Sequence, residues 1–547
     1  MNQHISVESQ EDGVIKIFNE EGKILEKFFV KENLQRALDL LKKINGLKTK
    51  KGVPIYEMRK FKGKSVWAFQ QHNIFWNYLR NYVMYEPIIK FLHSLSFNSV
   101  KISENLRELE KILKINGLIV VNSKEADGIR KIKILLKIFL AKIFSIMITL
   151  TAFLKLFFSR SGTLVYTPDK YSKHDCDFRF APVYDYLRKN KIDFVEVFHT
   201  LLGGEFYKNF FKRKRPVIYL EALTNSFFLN KKDNIIDIDF VSIEQYNVPY
   251  ITHLLSEIDK TSQTSARLIK IISLFLKLSK IKRLVAIDDV RFTNELVMAC
   301  RLNNIKTYAF QHGHFTKYHV GWMNYGIPQE LSVTFDKLFV WNDYWKNILF
   351  DYSSQYNEKN VSVGGCLRKL PNILYKKSCA KITNISQVSI LLPFEGMVGR
   401  TGTMMEIKNF ITKFLNLNVN IFFKTRPDSD IKAQLSNYGL NDNSRVGIVS
   451  EISKEVLFKI DAVVGLYSTF LNEMIFYDKP IFLMKTSFDL GHRLTDDGLA
   501  TPLEECFNPK VVVDGINNFS SKKKIVWTET INIEQTLDKI FFLNLSD

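Results

Sequence analysis

What is scarce in this sequence narrows it first. Its 547 residues hold five cysteines, Cys176, Cys300, Cys366, Cys379 and Cys506. They are odd in number and scattered, with neither disulfide-framework nor metal-ligand spacing, which predicts reduced thiols in a cytosol. No uncharged apolar run approaches the roughly 20 residues that a spanning helix needs. The start, Met1–Gly13, is polar and acidic and lacks a secretory signal, so a cytoplasmic chain is expected. With 24 glycines and 13 prolines there is no repeat or disorder bias. Asp-x-Asp triples begin at Asp175, Asp237 and Asp428, but among 57 acidic residues such triples arise by chance, and no metal or cofactor is expected. No RNA- or DNA-binding module is recognisable, so no nucleic-acid partner is expected either.

What is present is length, apolar content and positive charge. Hydrophobic residues make up 46%, and 547 residues are too many for one core, so two or three domains are expected. The net charge of +20 by itself suits nucleic acid, an anionic membrane face or phosphorylated substrates. Four segments follow: 1–125, an accessory α/β module; 126–160, a basic amphipathic segment; and 161–380 and 381–547, two Rossmann-like domains.

In the module, a hairpin is predicted from Val14 to Phe29, a helix over Lys31–Asn45 and a strand over Ser65–Phe69. A long aromatic helix over Asn73–Leu95 should break near Pro87. A helix over Ser103–Ile115 and a strand over Gly117–Val121 complete it. The second segment carries seven basic residues between Arg130 and Arg160 and no acidic one. Lys137 and Lys142 interrupt its apolar runs, which predicts a helix lying on an anionic bilayer, with a core or docking helix as the plainer alternative. The expected location is the cytoplasmic face of the inner membrane, held peripherally.

From Thr163 the pattern becomes β/α alternation. Predicted strands include Thr163–Tyr166, Asp193–Phe198, Pro216–Leu220, Asn234–Phe240, Leu284–Ile287, Lys306–Phe310, Lys337–Trp341 and Val361–Val363. Predicted helices include Phe180–Asn190, Ser262–Ile281 and Asn294–Leu302. A second series begins with Val388–Leu392 and runs through Ile407–Phe414, Val419–Phe423, Val446–Val449 and Ala462–Val464 to a closing helix, Ile533–Phe542. Two such series predict two doubly wound parallel sheets facing across a cleft.

Ligands of such sheets gather outside the carboxyl ends of the strands. Five predicted strand ends carry suitable groups: Asp288-Asp289, Gln311-His312-Gly313-His314, Glu395-Gly396, Lys424-Thr425-Arg426 and Tyr467-Ser468-Thr469. His312, beside Gly313, is the candidate base for an acceptor hydroxyl, with Asp289 and Asp288 as alternatives. Lys424 and Arg426 suit a diphosphate. Ser468 and Thr469 are expected to cap a helix whose N-terminus favours an anion. Glu473, one turn further on, is placed to bind a ribose. Each has a plainer alternative: an ordinary βαβ unit, a helix cap, a solvated basic loop.

This order of motifs resembles that of the CDP-glycerol glycerophosphotransferases of teichoic acid synthesis, which are bacterial GT-B transferases. The matching positions are Gln311-His312-Gly313, then Leu338-Phe339-Val340-Trp341 with Trp345, and Val363-Gly364-Gly365. They continue with Ile390-Leu391-Leu392-Pro393, Lys424-Thr425-Arg426-Pro427, Leu466-Tyr467-Ser468-Thr469 and Lys479-Pro480. Asp288-Asp289, Arg426-Pro427 and Ser468-Thr469 are similar to motifs of bacterial sialyl- and polysialyltransferases. Three positions depart from these patterns: Arg426 replaces a His, Leu466 an Asp, and Val290 a Gly. The departures favour a sugar over a glycerol donor.

The resemblance, over about Thr163–Asp547, implies a metal-independent GT-B glycosyltransferase. Its donor would be a nucleotide-sugar. Its acceptor would be a surface glycan, such as capsule or lipopolysaccharide, or a lipid-linked precursor. The donor side would be Lys424, Arg426, Tyr467, Ser468, Thr469, Glu473, Glu395 and Gly396. The acceptor side would be Gln311, Gly313 and His314, with His312 catalytic. The rivals are a glycerol- or ribitol-phosphate transferase and a nucleotide-sugar epimerase of the same architecture.

Overall fold

A computed structural model describes residues 4–9, 13–122, 143, 145–167, 177–198, 216–227, 237–287, 292–367, 381–395, 403–426, 430–441, 443–521 and 532–543. The predicted features at Asp288-Asp289, Gly396, Pro427 and all of 126–142 lie outside them.

The first sheet runs β3-β2-β1-β4-β5, from β1 (His4–Ser9), β2 (Val14–Phe18), β3 (Ile24–Phe29), β4 (Ser99–Ile102) and β5 (Val120–Asn122). The predicted hairpin is β2–β3, and β1 flanks it antiparallel while β4 joins β1 in parallel. The helix expected over Lys31–Asn45 is Leu34–Asn45, capped by Asn33 and buried along one face. Two expectations fail in this module. Ser65–Phe69 is not a strand: only Lys64–Ser65 pairs, and Ala68–Gln70 is a 3-10 turn with Trp67, Ala68 and Phe69 all buried. Burial there comes from surrounding elements rather than from a strand neighbour. Pro87 does not break its helix, Arg80–Ser94. Tyr85, Glu86, Ile88 and Ile89 around it are buried, and that packing outweighs the roughly 3 kcal/mol a helical proline costs.

Among the described residues the second sheet has seven strands, all parallel, in the order β8-β7-β6-β9-β10-β11-β12. They are β6 (Thr163–Thr167), β7 (Phe194–Phe198), β8 (Val217–Tyr219), β9 (Arg283–Ile287), β10 (Lys306–Phe310), β11 (Lys337–Val340) and β12 (Val361–Val363). The third has six, also parallel, in the order β15-β14-β13-β16-β17-β18. These are β13 (Ser389–Pro393), β14 (Asn420–Lys424), β15 (Val446–Val449), β16 (Ala462–Gly465), β17 (Ile481–Met484) and β18 (Thr501–Leu503). Strands β6, β16 and β17 are buried along their whole length. Helices cover both faces, so their sequences are unbroken apolar runs rather than alternations. Both sheets are doubly wound, and each reverses strand order at one point: between β6 and β9, and between β13 and β16. A ligand crevice forms at such a point. The two domains make the GT-B-like pair the sequence leads one to expect.

Three boundaries differ from expectation. The long helix predicted over Ser262–Ile281 spans Val248–Lys277, starting earlier with Pro249 in its first turn. Of Asn234–Phe240, Ile238–Asp239 pairs antiparallel with Lys48–Thr49 and so ties the accessory module down instead of extending a domain sheet. The closing helix, Ile533–Phe541, belongs to the first domain, not to 381–547. Its Leu537 and Ile540 join the core of Val183, Tyr184 and Leu187, Tyr186 donates to Asp538 at 2.5 Å, and Thr536 donates to Gly364 O at 2.9 Å.

The module is welded to the long helix and to the turn that leads into it. Tyr82 stacks on Tyr250 at 4.2 Å, Arg36 pairs with Glu244 at 2.8 Å, and Gln70 donates to Ser265 at 3.1 Å. Its reach extends to the loop after β10, where Gln35 accepts from Lys317 at 2.8 Å and Asn45 donates to Tyr325 O at 2.7 Å.

Candidate active site

The second domain contributes the crevice between β13 and β16. Glu395 lies just past β13 and is only 1% exposed. Its Oε1 accepts from the main-chain N–H of Leu466 at 2.9 Å and of Tyr467 at 3.4 Å, so it shapes the loop leaving β16. Its own N–H donates to Tyr438 Oη at 2.7 Å. Its Oε2 is buried without a partner among the described residues. Burial pushes the carboxyl up to about 7, against the pull of these N–H groups and of the Arg426 charge. Gly465 permits the approach: a Cβ there would meet Leu471 Cδ2 at 2.7 Å and Glu395 Oε1 at 3.3 Å.

The loop Leu466–Thr469 leads into a helix of seven residues, Phe470–Phe476. Only one of the two expected caps forms: Ser468 Oγ accepts from Phe470 N at 3.3 Å, while Thr469 makes no capping bond. Thr469 is already helical in conformation, and its hydroxyl turns across the cleft instead. Tyr467 is buried with its ring 5.5 Å from that of Phe488. Glu473 is half-buried in the first helical turn. Lys424 is not a loose cation: its ammonium donates to Thr425 O at 2.9 Å and Ser450 O at 2.8 Å. Arg426 is the half-buried cation whose charge reaches Glu395. Lys479 is buried and donates to Leu457 O at 2.7 Å and Ile460 O at 2.8 Å. These carbonyls close the helix Lys454–Lys459, before β16 begins, so Lys479 serves the fold.

The first domain contributes the loop after β10. Gln311 is wholly buried and acts as a strut. Its Oε1 accepts from Trp341 N at 3.0 Å, its carbonyl from Trp341 Nε1 at 2.9 Å, and its amide donates to Gly313 O at 2.7 Å. An acceptor-side contact through this side chain is thereby corrected: its polar atoms are committed to holding the loop. His312 is half-buried beside it. His314 brings its Nδ1 to 3.1 Å from Thr469 Oγ1, and a Cβ on Gly313 would lie 3.3 Å from the same oxygen. The strand ends of the two sheets therefore touch here.

A histidine that strand-end reasoning missed completes the junction. The His492 ring centre lies 4.3 Å from that of His314, tilted by 45°, and His314 in turn lies 5.8 Å from His319. Burial lowers the His492 imidazole to about 4, against a hydrogen bond with the Tyr467 backbone and the charge of Asp489, so it is neutral. Its Nε2 has no partner among the described residues. The sequence signal is Gly491-His492, which sits well past the end of β17 rather than at a strand end. Gly491 has φ +66, and a Cβ there would meet Lys317 and Tyr318 of the other domain at 3.1 Å. Beside it, Arg493 pairs with Asp351, and Tyr344 donates to Asp497 Oδ2 at 2.8 Å, again across the domains.

The junction thus gathers several histidines, a buried carboxyl poised near neutrality, a cation and hydroxyls at the mouths of two parallel sheets. That set can accept a proton from one wall and bind an anion on the other. Among the described residues, no three His, Cys, Asp or Glu side chains converge as a metal-binding group.

No protein-family description matches the sequence, and no curated protein does. Several solved structures are similar in fold. Acinetobacter baumannii MurG is 10% identical with a TM-score of 0.41, over 70% of this chain and 98% of its own. The UDP-GlcNAc 2-epimerase of Methanocaldococcus jannaschii is 10% identical with a TM-score of 0.40, over 70% and 99%. A glycosyltransferase from Rickettsia africae is 10% identical with a TM-score of 0.35, over 70% and 97%. Likeness at this level assigns no activity.

Proposed function

We propose that this chain is a metal-independent glycosyltransferase of the GT-B type. It moves a sugar from a nucleotide-activated donor to a bacterial surface glycan or a lipid-linked acceptor. What supports the reading is one contact above all: His314 and Gly313, at a strand end of one doubly wound domain, meet Thr469 at the crevice of the other. A donor bound at that crevice would have its reacting carbon beside His312.

In the proposed reaction the acceptor oxygen bonds to the anomeric carbon as the carbon–oxygen bond to the donor phosphate breaks. The acceptor proton passes to His312, and the charge released on the phosphate is met by Arg426 and the Ser468 hydroxyl. Glu395 acts as a positioning residue, holding Leu466 and Tyr467 so that the loop keeps its shape. Glu473 would bind the ribose, and Lys424 would steady the loop rather than touch phosphate.

The test begins with a thermal-shift screen against UDP-, CDP-, GDP- and CMP-sugars, since a ligand of the folded state alone raises the melting temperature. With that donor, His312→Ala should keep the melting shift while transfer falls about a hundredfold or more. Near-wild-type turnover would remove His312 as the base.

A further inference from the structure

The helix over residues 145–158 has two apolar faces with different fates. Its inner face is core: Leu156 sits among Leu164, Val197, Ile218 and Ile272, and Phe153 packs on Phe275 of the long helix at 4.9 Å between ring centres. This is the sheet-covering role the sequence left open as the plainer alternative. The outer face is the anomaly. Met147, Leu150, Leu154 and Phe157, spaced three and four apart along one stripe, are 62%, 56%, 55% and 52% exposed, and Phe158 is 76% exposed. On the neighbouring helix Leu274 is 56% exposed. A soluble surface rarely leaves so many large apolar side chains together without a partner.

The charges around the stripe say which partner. Lys155, Arg160, Lys277 and Lys280, on the two helices or just past their ends, are exposed. The sequence has no aspartate or glutamate from 128 to 168, nor from 260 to 287. A protein partner is ordinarily met with both signs of charge at the rim. An apolar stripe carried on two segments whose charges are all positive complements a bilayer with anionic headgroups, in which the apolar side chains enter the acyl boundary and the lysines reach phosphates. Among the described residues, no helix is long and apolar enough to cross a membrane.

We infer that the outer face of helix 145–158, with Leu274, is a docking surface for an anionic lipid bilayer, entered from one side and not crossed. The inference stands apart from the donor reading, since it concerns neither His312 nor Arg426. Together the two would bring a water-soluble donor to an acceptor held at the bilayer.

The test is flotation of the full chain with phosphatidylcholine vesicles, with and without phosphatidylglycerol. Wild type should float with the anionic vesicles at low salt, stay behind with the neutral ones, and be released by high salt. Leu150→Glu with Leu154→Glu, both at exposed positions, should lower partitioning about tenfold or more while the melting temperature holds. Lys155→Gln with Lys277→Gln and Lys280→Gln should weaken binding and flatten its salt dependence. Failure of wild type to float with anionic vesicles would overturn the inference, as would binding that survives both variants. So would a dimer in light scattering that the glutamate variant dissolves, which would give the face to a second copy of the chain.

Discussion

Glu395, buried, and His492, half-buried, share one junction whose low polarity favours their uncharged forms, with opposite consequences for stability. Glu395 titrates at about 7 when folded, against an ordinary value of 4.5. Between those values the folded state holds the extra proton, so this group's contribution to stability falls as pH rises and is gone above about 7. His492 titrates at about 4 when folded, against 6.5. Between those values the unfolded state holds the extra proton, so its contribution is lost as pH falls. Each slope has a ceiling of about 1.4 kcal/mol per pH unit, and over pH 4.5–6.5 they oppose. Urea denaturation of wild type, Glu395→Gln and His492→Gln at pH 5 and pH 8 reads them apart. Relative to wild type, Glu395→Gln should gain stability at pH 8 over pH 5, and His492→Gln should gain at pH 5 over pH 8. Parallel pH profiles for all three would refute the burial argument. Of these two residues the sequence pointed to Glu395, because it follows a strand end directly, and not to His492, whose loop is brought back by Gly491 at φ +66.

At the scale of elements, strands were legible where the sheet is covered on both faces. Thr163–Thr167, Lys306–Phe310 and Ala462–Gly465 are apolar runs bounded by polar ends, and each lies within a residue of its expected place. Elements whose reason lies far away in sequence were not legible. Ile238–Asp239 falls inside the strand expected over Asn234–Phe240, but its shortness and its pairing with Lys48–Thr49 leave no mark in the sequence. The closing helix shows its apolar face in the sequence but not its address on the first domain. That address yields a prediction. Leu537 is fully buried against the first domain, so Leu537→Ala should cost about 2–5 kcal/mol. The loss should appear in the unfolding of the first domain, followed by hydrogen exchange in β9 and β10. Loss of protection confined to β13–β18 would return the helix to the second domain.

At the scale of the whole molecule, the two sheets present their carboxyl edges to each other, and the accessory module braces the loop between β10 and β11. Gln35 and Asn45 hold that loop from behind while Lys317 and Tyr318 meet Gly491 in front. In the proposed function the cleft so formed binds a nucleotide on the β13–β16 wall and carries its base on the other. Calorimetric titration of UDP, CDP, GDP and CMP into wild type, His312→Ala and Arg426→Ala tests it most directly. One nucleotide should bind wild type and His312→Ala with equal affinity and Arg426→Ala about tenfold or more weakly, since a side-chain cation on a phosphate outweighs a neutral contact. Binding of none of the four, or equal affinity in Arg426→Ala, would contradict the account.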